Sequence, residues 1–290
     1  MPQVGLLGAV WGSSVVLQRL AVAEVAPLSL VALRLLAALL VFLPFACRLA
    51  RAAAGRPRLV RDWLIIGLLN PVLSGLFTAL ALQRTSSGVV AVLQTLSPVW
   101  SAILVALFVR HAEVIGWRRG QGMAVACGGV TLLFLTGTSG LAGGAGGDLL
   151  GLLFALASPI AVSLASAYVR GRLQGLDPLV VAGGQITAAC LLAVPLAALV
   201  GAPPALHLDA ISPRAWLAVV LSGSAGLGAS FVLFVHMIGR HGPTAALLST
   251  YVMPVVAALL GVLVLGETIT PTMLAGSALV LVGVLLFNRA

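Results

Sequence analysis

The stretch TSSGVVAVLQTLSPVWSAILVALFV, Thr85 to Val109, decides the fold. It runs 25 residues without a formal charge and carries Pro98 in its middle. A bilayer core takes about 20 apolar residues per spanning helix, so the stretch reads as one membrane span. A related stretch returns at His241 to Gly266, HGPTAALLSTYVMPVVAALLGVLVLG, with Pro254 in the matching place. A shift of 156 residues superposes Arg84 on Arg240, Pro98 on Pro254, Val99 on Val255, Ala102 on Ala258, Leu104 on Leu260, Leu107 on Leu263 and Gly120 on Gly276. Upstream the offset is 151, laying Arg19 on Arg170, Pro27 on Pro178 and Arg34 on Gln185. The change of offset falls between spans seven and nine, with the 201–212 loop as the expected place. Matched hydropathy and a matched internal proline make these scattered identities a duplicated membrane unit.

Composition points the same way. Of 290 residues, 61% are hydrophobic and 8% charged, against about 25% charged in soluble domains. The 33 glycines suit membrane helices that must approach closely. The net charge of +9 rests on 16 arginines and no lysine. They fall mostly in short loops, so they read as orientation signals and contacts to anionic headgroups rather than a nucleic-acid surface. Cys47, Cys127 and Cys190 are isolated in apolar surroundings and form neither a CxxC nor a ligand set, so no metal and no cofactor is expected. Hydrophobicity begins at Val4 with no basic segment before it and no polar domain after it. The first block therefore reads as a true first helix, with no accessory domain expected ahead of it.

Ten spans follow: 4–22, 27–47, 63–83, 87–109, 117–136, 148–169, 178–200, 213–237, 243–265 and 270–288. The runs are continuous rather than alternating, which excludes a strand barrel. Loops on one side hold twelve arginines (48, 51, 56, 58, 61, 110, 118, 119, 170, 172, 240 and 289), and the other side holds Arg19, Arg84 and Arg214. The positive-inside rule puts both termini in the cytoplasm. Trp63, Trp117 and Trp216 open spans and read as interface anchors. Residues 1–136 form the first five-helix repeat, 137–147 a Gly-rich external linker and 148–290 the second repeat. An odd number of helices makes the two repeats enter the membrane from opposite sides. The expected fold is thus all-α and integral to the membrane, with ten transmembrane helices in two inverted-topology repeats.

Particular residues carry a family resemblance: Trp11-Gly12-Ser13 in span one, Pro27 and Arg34 in span two, Pro98 and Pro254, and Leu265-Gly266-Glu267 followed by Gly276 and Gly283. With these the chain resembles the drug/metabolite transporter superfamily, in its EamA-type ten-helix branch. The resemblance covers each half once. It implies a 5+5 inverted-repeat carrier of the cytoplasmic membrane that exports small metabolites or amino acids through a central cavity between the halves. Two places depart from the family pattern. His111 stands where the first repeat would carry the glutamate matched by Glu267, and Ser158-Pro159 lie in span six where a tryptophan is common nearby.

Arg34 is the sharpest candidate for substrate binding. It lies about 10 Å inside the end of its helix, where a charge costs roughly 2.5–3.5 kcal/mol, yet every acidic residue falls near a span end. Either its donors attract a substrate carboxylate or phosphate, or it snorkels or bonds to neighbouring carbonyls, with Glu24 as a partner. Each internal proline frees the carbonyl four residues earlier, that of Gln94 and of Thr250. Beside Thr95, Ser97, Ser249 and Tyr251 these would make a polar spot at mid-depth facing the cavity, or a packing kink whose hydroxyls bond their own backbone. Gln94 and Tyr251 are the preferred contacts. Trp11, Ser13, Ser14 and Gln18 suggest a polar face on span one, and Asn70-Pro71, Ser74 and Thr78 another on span three, with Trp100 and Gln185 weaker candidates.

A secondary transporter that exports or exchanges small solutes, amino acid-like or other, by alternating access fits this pattern. An integral membrane enzyme acting on lipid-linked or amphipathic substrates is the alternative, but no HExxH, paired mid-membrane carboxylates or clustered nucleophile is present. A channel would need a filter loop or charged ring, and neither is visible. With no mid-membrane carboxylate, facilitated diffusion or exchange is expected over proton antiport. The sequence leaves open the substrate, the direction and the oligomeric state, with a monomer compatible; membrane lipids and a small-molecule substrate are the expected partners.

Overall fold

The computed structural model describes residues 2–108, 116–136, 149–173, 175–200, 211–234, 236–237 and 249–289. The linker 137–147 and His111 lie outside the described residues. Helices occupy all ten expected places: α1 Pro2–Ala21, α2 Pro27–Ala53, α3 Pro57–Leu82, α4 in two pieces (Ser87–Gln94 and Ser97–Phe108), α5 Trp117–Thr136, α6 Leu149–Arg172, α7 Pro178–Val200, α8 Pro213–Phe234, α9 Ser249–Leu265 and α10 Pro271–Arg289. Six of these, α1–α3 and α6–α8, counted across their 3-10 and π turns, are long and apolar enough to cross a bilayer. The chain is all-α, with its ten helices in two five-helix repeats of inverted topology.

Helix starts are set by proline and hydroxyl caps. Pro27, Pro57, Pro178, Pro213 and Pro271 each open a helix, where a missing N–H is no loss. Ser86 and Ser212 accept backbone N–H bonds from Val89 and Ala215, and Thr270 accepts one from Met273. α9 ends in a left-handed (αL) glycine cap. Gly266 takes φ +65°, its N–H bonds to the Val262 carbonyl, and that of Glu267 bonds to Gly261. Two helices run past their expected limits. α2 continues through a 3-10 turn at Leu43–Phe45 into Ala46–Ala53, and α3 begins at Pro57, six residues before the expected 63. That early start, with Trp63 packed onto Gly184, makes Trp63 a buried core residue at 6% exposure and not an interface anchor. Trp117 is 80% exposed.

Three helices are interrupted. α3 carries a π segment at Leu68–Leu73, where Asn70 leaves helical geometry (φ −146°, ψ 116°) ahead of Pro71. α8 carries one at Ser224–Ala229. These two segments superpose at an offset of 156, so the change from 151 precedes α8, in agreement with the 201–212 assignment. α4 breaks at Thr95–Leu96, where the N–H groups of both residues bond to carbonyls three residues back. α9, in contrast, runs unbroken through Pro254.

Packing repeats the duplication. α2 lies against α7, α4 against α9 and α5 against α10, each helix meeting its own counterpart. The remaining pairs exchange: α1 with α8 matches α6 with α3, α1 with α9 matches α6 with α4, and α2 with α8 matches α7 with α3. Glycines set the closest crossings. On α5 and α10 a Cβ at Gly122 would come 2.7 Å from the Gly283 carbonyl, and one at Gly129 would come 2.7 Å from that of Gly276. Membrane helices without a hydrophobic drive between them pack through such small residues. One apolar core joins α1, α4, α9 and α10, and a second joins α2, α3 and α7.

Candidate functional site

Two buried polar clusters occupy related places in the repeats. In the first, Arg34 on α2 reaches α1 and α8. Its Nε donates to Ser222 Oγ (3.0 Å) and its Nη1 to Gln18 Oε1 (2.7 Å). Its Nη2 donates to the Ser222 carbonyl (3.3 Å) and lies 3.5 Å from Ser14 Oγ. Gln18 in turn donates to the Ser14 carbonyl (3.1 Å). Arg34 is 7% exposed, and no carboxylate reaches it among the described residues. Neutral acceptors therefore fix its geometry while its charge stays uncompensated. The expected Glu24 partnership does not form. Glu24 sits on the exposed turn between α1 and α2 and accepts both the N–H and the hydroxyl of Ser212 (2.8 Å each). That backbone bond first, then the hydroxyl, with Arg214 adding attraction, lowers its carboxyl below the ordinary range.

In the second cluster Gln185 on α7 takes the place that Arg34 has on α2. Its amide donates to the Asn70 carbonyl at the interruption of α3. Ser74 Oγ donates to Asn70 Oδ1 (2.8 Å), and Thr78 Oγ1 to the Ser74 carbonyl (2.8 Å). Ser158 on α6 lies 2.9 Å from Thr78 Oγ1 and 3.0 Å from the Ser74 carbonyl. Gln94 on α4 closes the chain by donating its amide to Thr78 Oγ1 (3.1 Å). Asn70, Gln94 and Gln185 thus share one network across four helices.

The same backbone contact underlies both clusters. Gly223 on α8 abuts the Arg34 backbone, and a Cβ there would lie 2.9 Å from Arg34 Cα. Gly67 on α3 abuts the Gln185 backbone, where a Cβ would lie 2.9 Å from its carbonyl oxygen. Gly67 and Gly223 are themselves 156 residues apart. Each repeat therefore seats the eighth residue of one helix on a glycine of the other repeat's interrupted helix.

The other candidates distribute around these clusters. The carbonyl of Gln94 is not free, because Ser97 Oγ donates to it (2.8 Å), and Thr95 Oγ1 donates to the Val92 carbonyl (2.6 Å). Those hydroxyls cap the break, so the free Gln94 carbonyl expected from Pro98 is not formed. Trp11, half-buried, tilts against Phe234 with centroids 5.6 Å apart. Trp11, Trp100 and Tyr251 all pack on the same core as Val92 and Met253. Trp100 Nε1 is buried without a hydrogen-bond partner. Ser13 is half-buried on α1. Among the described residues no group of His, Cys, Asp or Glu could hold a metal ion.

Two buried polar contacts were not anticipated. Ser222 stands in the apolar helix α8 beside Ser224, and its counterpart at 156 is Ile66, so the repeat hides it. Glu267, 6% exposed, clamps the start of α4: Oε1 accepts the Ser87 N–H (2.9 Å) and Oε2 its hydroxyl (2.7 Å). A carboxylate on a helix N-terminus is favoured by the unsatisfied N–H groups there. The Ser86-Ser87 pair opening an apolar run was the available signal.

One crystal structure has the same architecture. It is 22% identical, aligns over 99% of this chain and 95% of its own, and gives a TM-score of 0.64. No curated protein matches. The model of the EamA-like transporter family matches twice, over residues 4–135 and 149–289. Its members are transporters rather than enzymes, which removes the membrane-enzyme alternative. With almost its whole length matched in two copies, the chain belongs to the EamA-like transporter family of the drug/metabolite transporter superfamily, and is a multi-pass membrane protein that transports a small molecule.

Proposed function

We propose that the chain is a secondary carrier that exports or exchanges small organic solutes, amino acid-like ones foremost, by alternating access around a central cavity between residues 1–136 and 148–290. The reciprocal seating of Arg34 and Gln185 carries this reading. In inverted-repeat carriers the substrate sits between the repeats on discontinuous helices, and here the broken α8 packs on α1 and α2 while the broken α3 and α4 pack on α6. The amides of Gln94, Gln185 and Asn70 hold polar groups of the solute. Trp11, Trp100 and Tyr251 wall it, and Ser13 and Thr95 contribute at the edge. Arg34 is held by neutral acceptors and attracts a carboxylate by its charge. Pro98 and Pro254 are the bending points. Both termini face the cytoplasm at the inner membrane, and no proton gradient drives the cycle.

Counterflow in proteoliposomes tests this, using labelled amino acids beside their uncharged amides. Saturable counterflow of a carboxylated solute is expected, and Arg34→Gln should abolish it while sparing the amide. Absence of counterflow for every solute overturns the carrier reading. Equal transport by Arg34→Gln removes Arg34 from binding. Uphill accumulation driven by a pH gradient overturns the uncoupled cycle.

A further inference from the structure

The end of the bundle where α2 finishes and α3 begins carries a second, separate chemistry. α2 reaches Arg48 some 21 residues after Pro27, about 30 Å along a helix, which is the thickness of a bilayer core. The short segment Ala46–Ala53 then lies at the membrane edge. Its Leu49 is buried against Gly183 of α7, and its Ala52 and Ala53 pack beside Trp63, Leu173 and Val180. The segment is therefore anchored, not free. Two arginines are tied to carboxylates there: Arg48 pairs with Asp177, and Arg61 lies 3.4 Å from Asp62. Asp62 is held in turn by the Tyr168 hydroxyl of α6 (2.8 Å).

Arg51, Arg56 and Arg58 are left over. All three are exposed, and no carboxylate reaches them among the described residues. Between them the chain turns at Gly55 (φ +69°) and leaves a shallow, largely open cleft lined by Gly55, Arg56, Pro57, Arg58 and Leu59. The opening turn of α3 adds no capping side chain to this cleft. The nearby end of α2 turns Leu40 (62% exposed) and Leu43 (56% exposed) outward.

We propose that this cleft is a binding site for the headgroup of an anionic phospholipid, with Arg51, Arg56 and Arg58 on the phosphate and the acyl chains along Leu40 and Leu43. Guanidinium groups match phosphate oxygens in pairs, and the adjoining leucines favour a lipid over a soluble anion. Leu49 and the Arg48–Asp177 pair tie the preceding segment to α7. The site does not depend on the transport reading.

Native mass spectrometry of the full chain, released from nanodiscs of mixed phosphatidylglycerol and phosphatidylcholine, tests the assignment. The protein should retain phosphatidylglycerol selectively. The triple variant R51Q/R56Q/R58Q should lower that retention about 100-fold, at roughly a factor of five per basic residue near the surface. Arg214→Gln, at the opposite end, should leave it unchanged and controls for lost charge alone. If the triple variant misinserts, R51K/R56K/R58K keeps the charge and should retain the lipid only partly. Unchanged retention in the Gln variant, or equal retention of phosphatidylcholine, overturns the proposal. So does full displacement by inorganic phosphate at millimolar concentration, which would make the occupant a soluble anion.

Discussion

The Arg34 cluster and the Gln185 cluster share a scaffold and differ in chemistry. Both residues stand eighth in a helix that packs against its own counterpart, and both rest on a glycine of an interrupted helix in the other repeat. One brings a buried cation to Ser14, Gln18 and Ser222, the other a neutral amide to Asn70. The duplication preserved where the backbones meet, not what fills the space beside them. A two-fold scaffold thus buries a cation in one half and a neutral amide network in the other.

Making the two clusters alike should have the largest effect. Gln185→Arg would bury a second cation at a place where no carboxylate waits among the described residues. It should destabilise the protein by about 3 kcal/mol, read as a lowered melting temperature in detergent. Stability within error would show that the Asn70 side can take charge as readily as the Arg34 side. Crowding the shared contact comes next. Gly223→Leu and Gly67→Leu should each cost roughly 1–3 kcal/mol, the former more, since a Cβ at Gly223 already meets Ala37 Cβ at 2.7 Å while the nearest atom to one at Gly67 is 2.9 Å away. A reversed order in thermal unfolding would break the account of the seating.

The neutral network should respond more mildly. Thr78→Val removes the acceptor of Gln94 and the neighbour of Ser158, a loss of about 1–2 kcal/mol. The matching hydroxyl change in the first cluster, Ser14→Ala, should cost less, since its contact with Arg34 is 3.5 Å. Equal losses in paired melts would count against the assigned network. The smallest effect concerns pH. The Ser212 bonds lower the Glu24 carboxyl, so its contribution is present above the ordinary carboxylate pKa of about 4.3 and is lost as pH falls through the lowered value. Glu24→Gln should flatten this acid-side slope of melting temperature. An unchanged slope would assign it elsewhere.

Much of the fold is legible in the residues. Long uncharged runs demand helices, an odd count demands inversion, and the shared proline reveals the duplication. The interruptions are not. Pro98 and Pro254 look equivalent, yet α4 breaks and α9 does not. Near Pro98 the hydroxyls of Thr95 and Ser97 bond to local carbonyls and offer the backbone another partner, while a proline within a packed membrane helix is tolerated where neighbours satisfy the freed group. The π segment of α8, SAGLGA, contains no proline, and it could be anticipated only from its counterpart in α3. The residues of the clusters were visible as polar exceptions, but their partners were not. Ser222 is one of three serines in α8 and nothing in the sequence singles it out, and Glu24 was nearer to Arg34 in sequence than in the fold.

The clamp of Glu267 on Ser87 has no double. At an offset of 156 the first repeat offers His111 in place of the carboxylate, and the second offers Pro243, which lacks an N–H, in place of the serine. Under the alternating-access cycle proposed above, any reorientation that separates the start of α4 from the end of α9 must first break these two bonds, and the sequence offers no matching carboxylate–serine pair to oppose the reverse one.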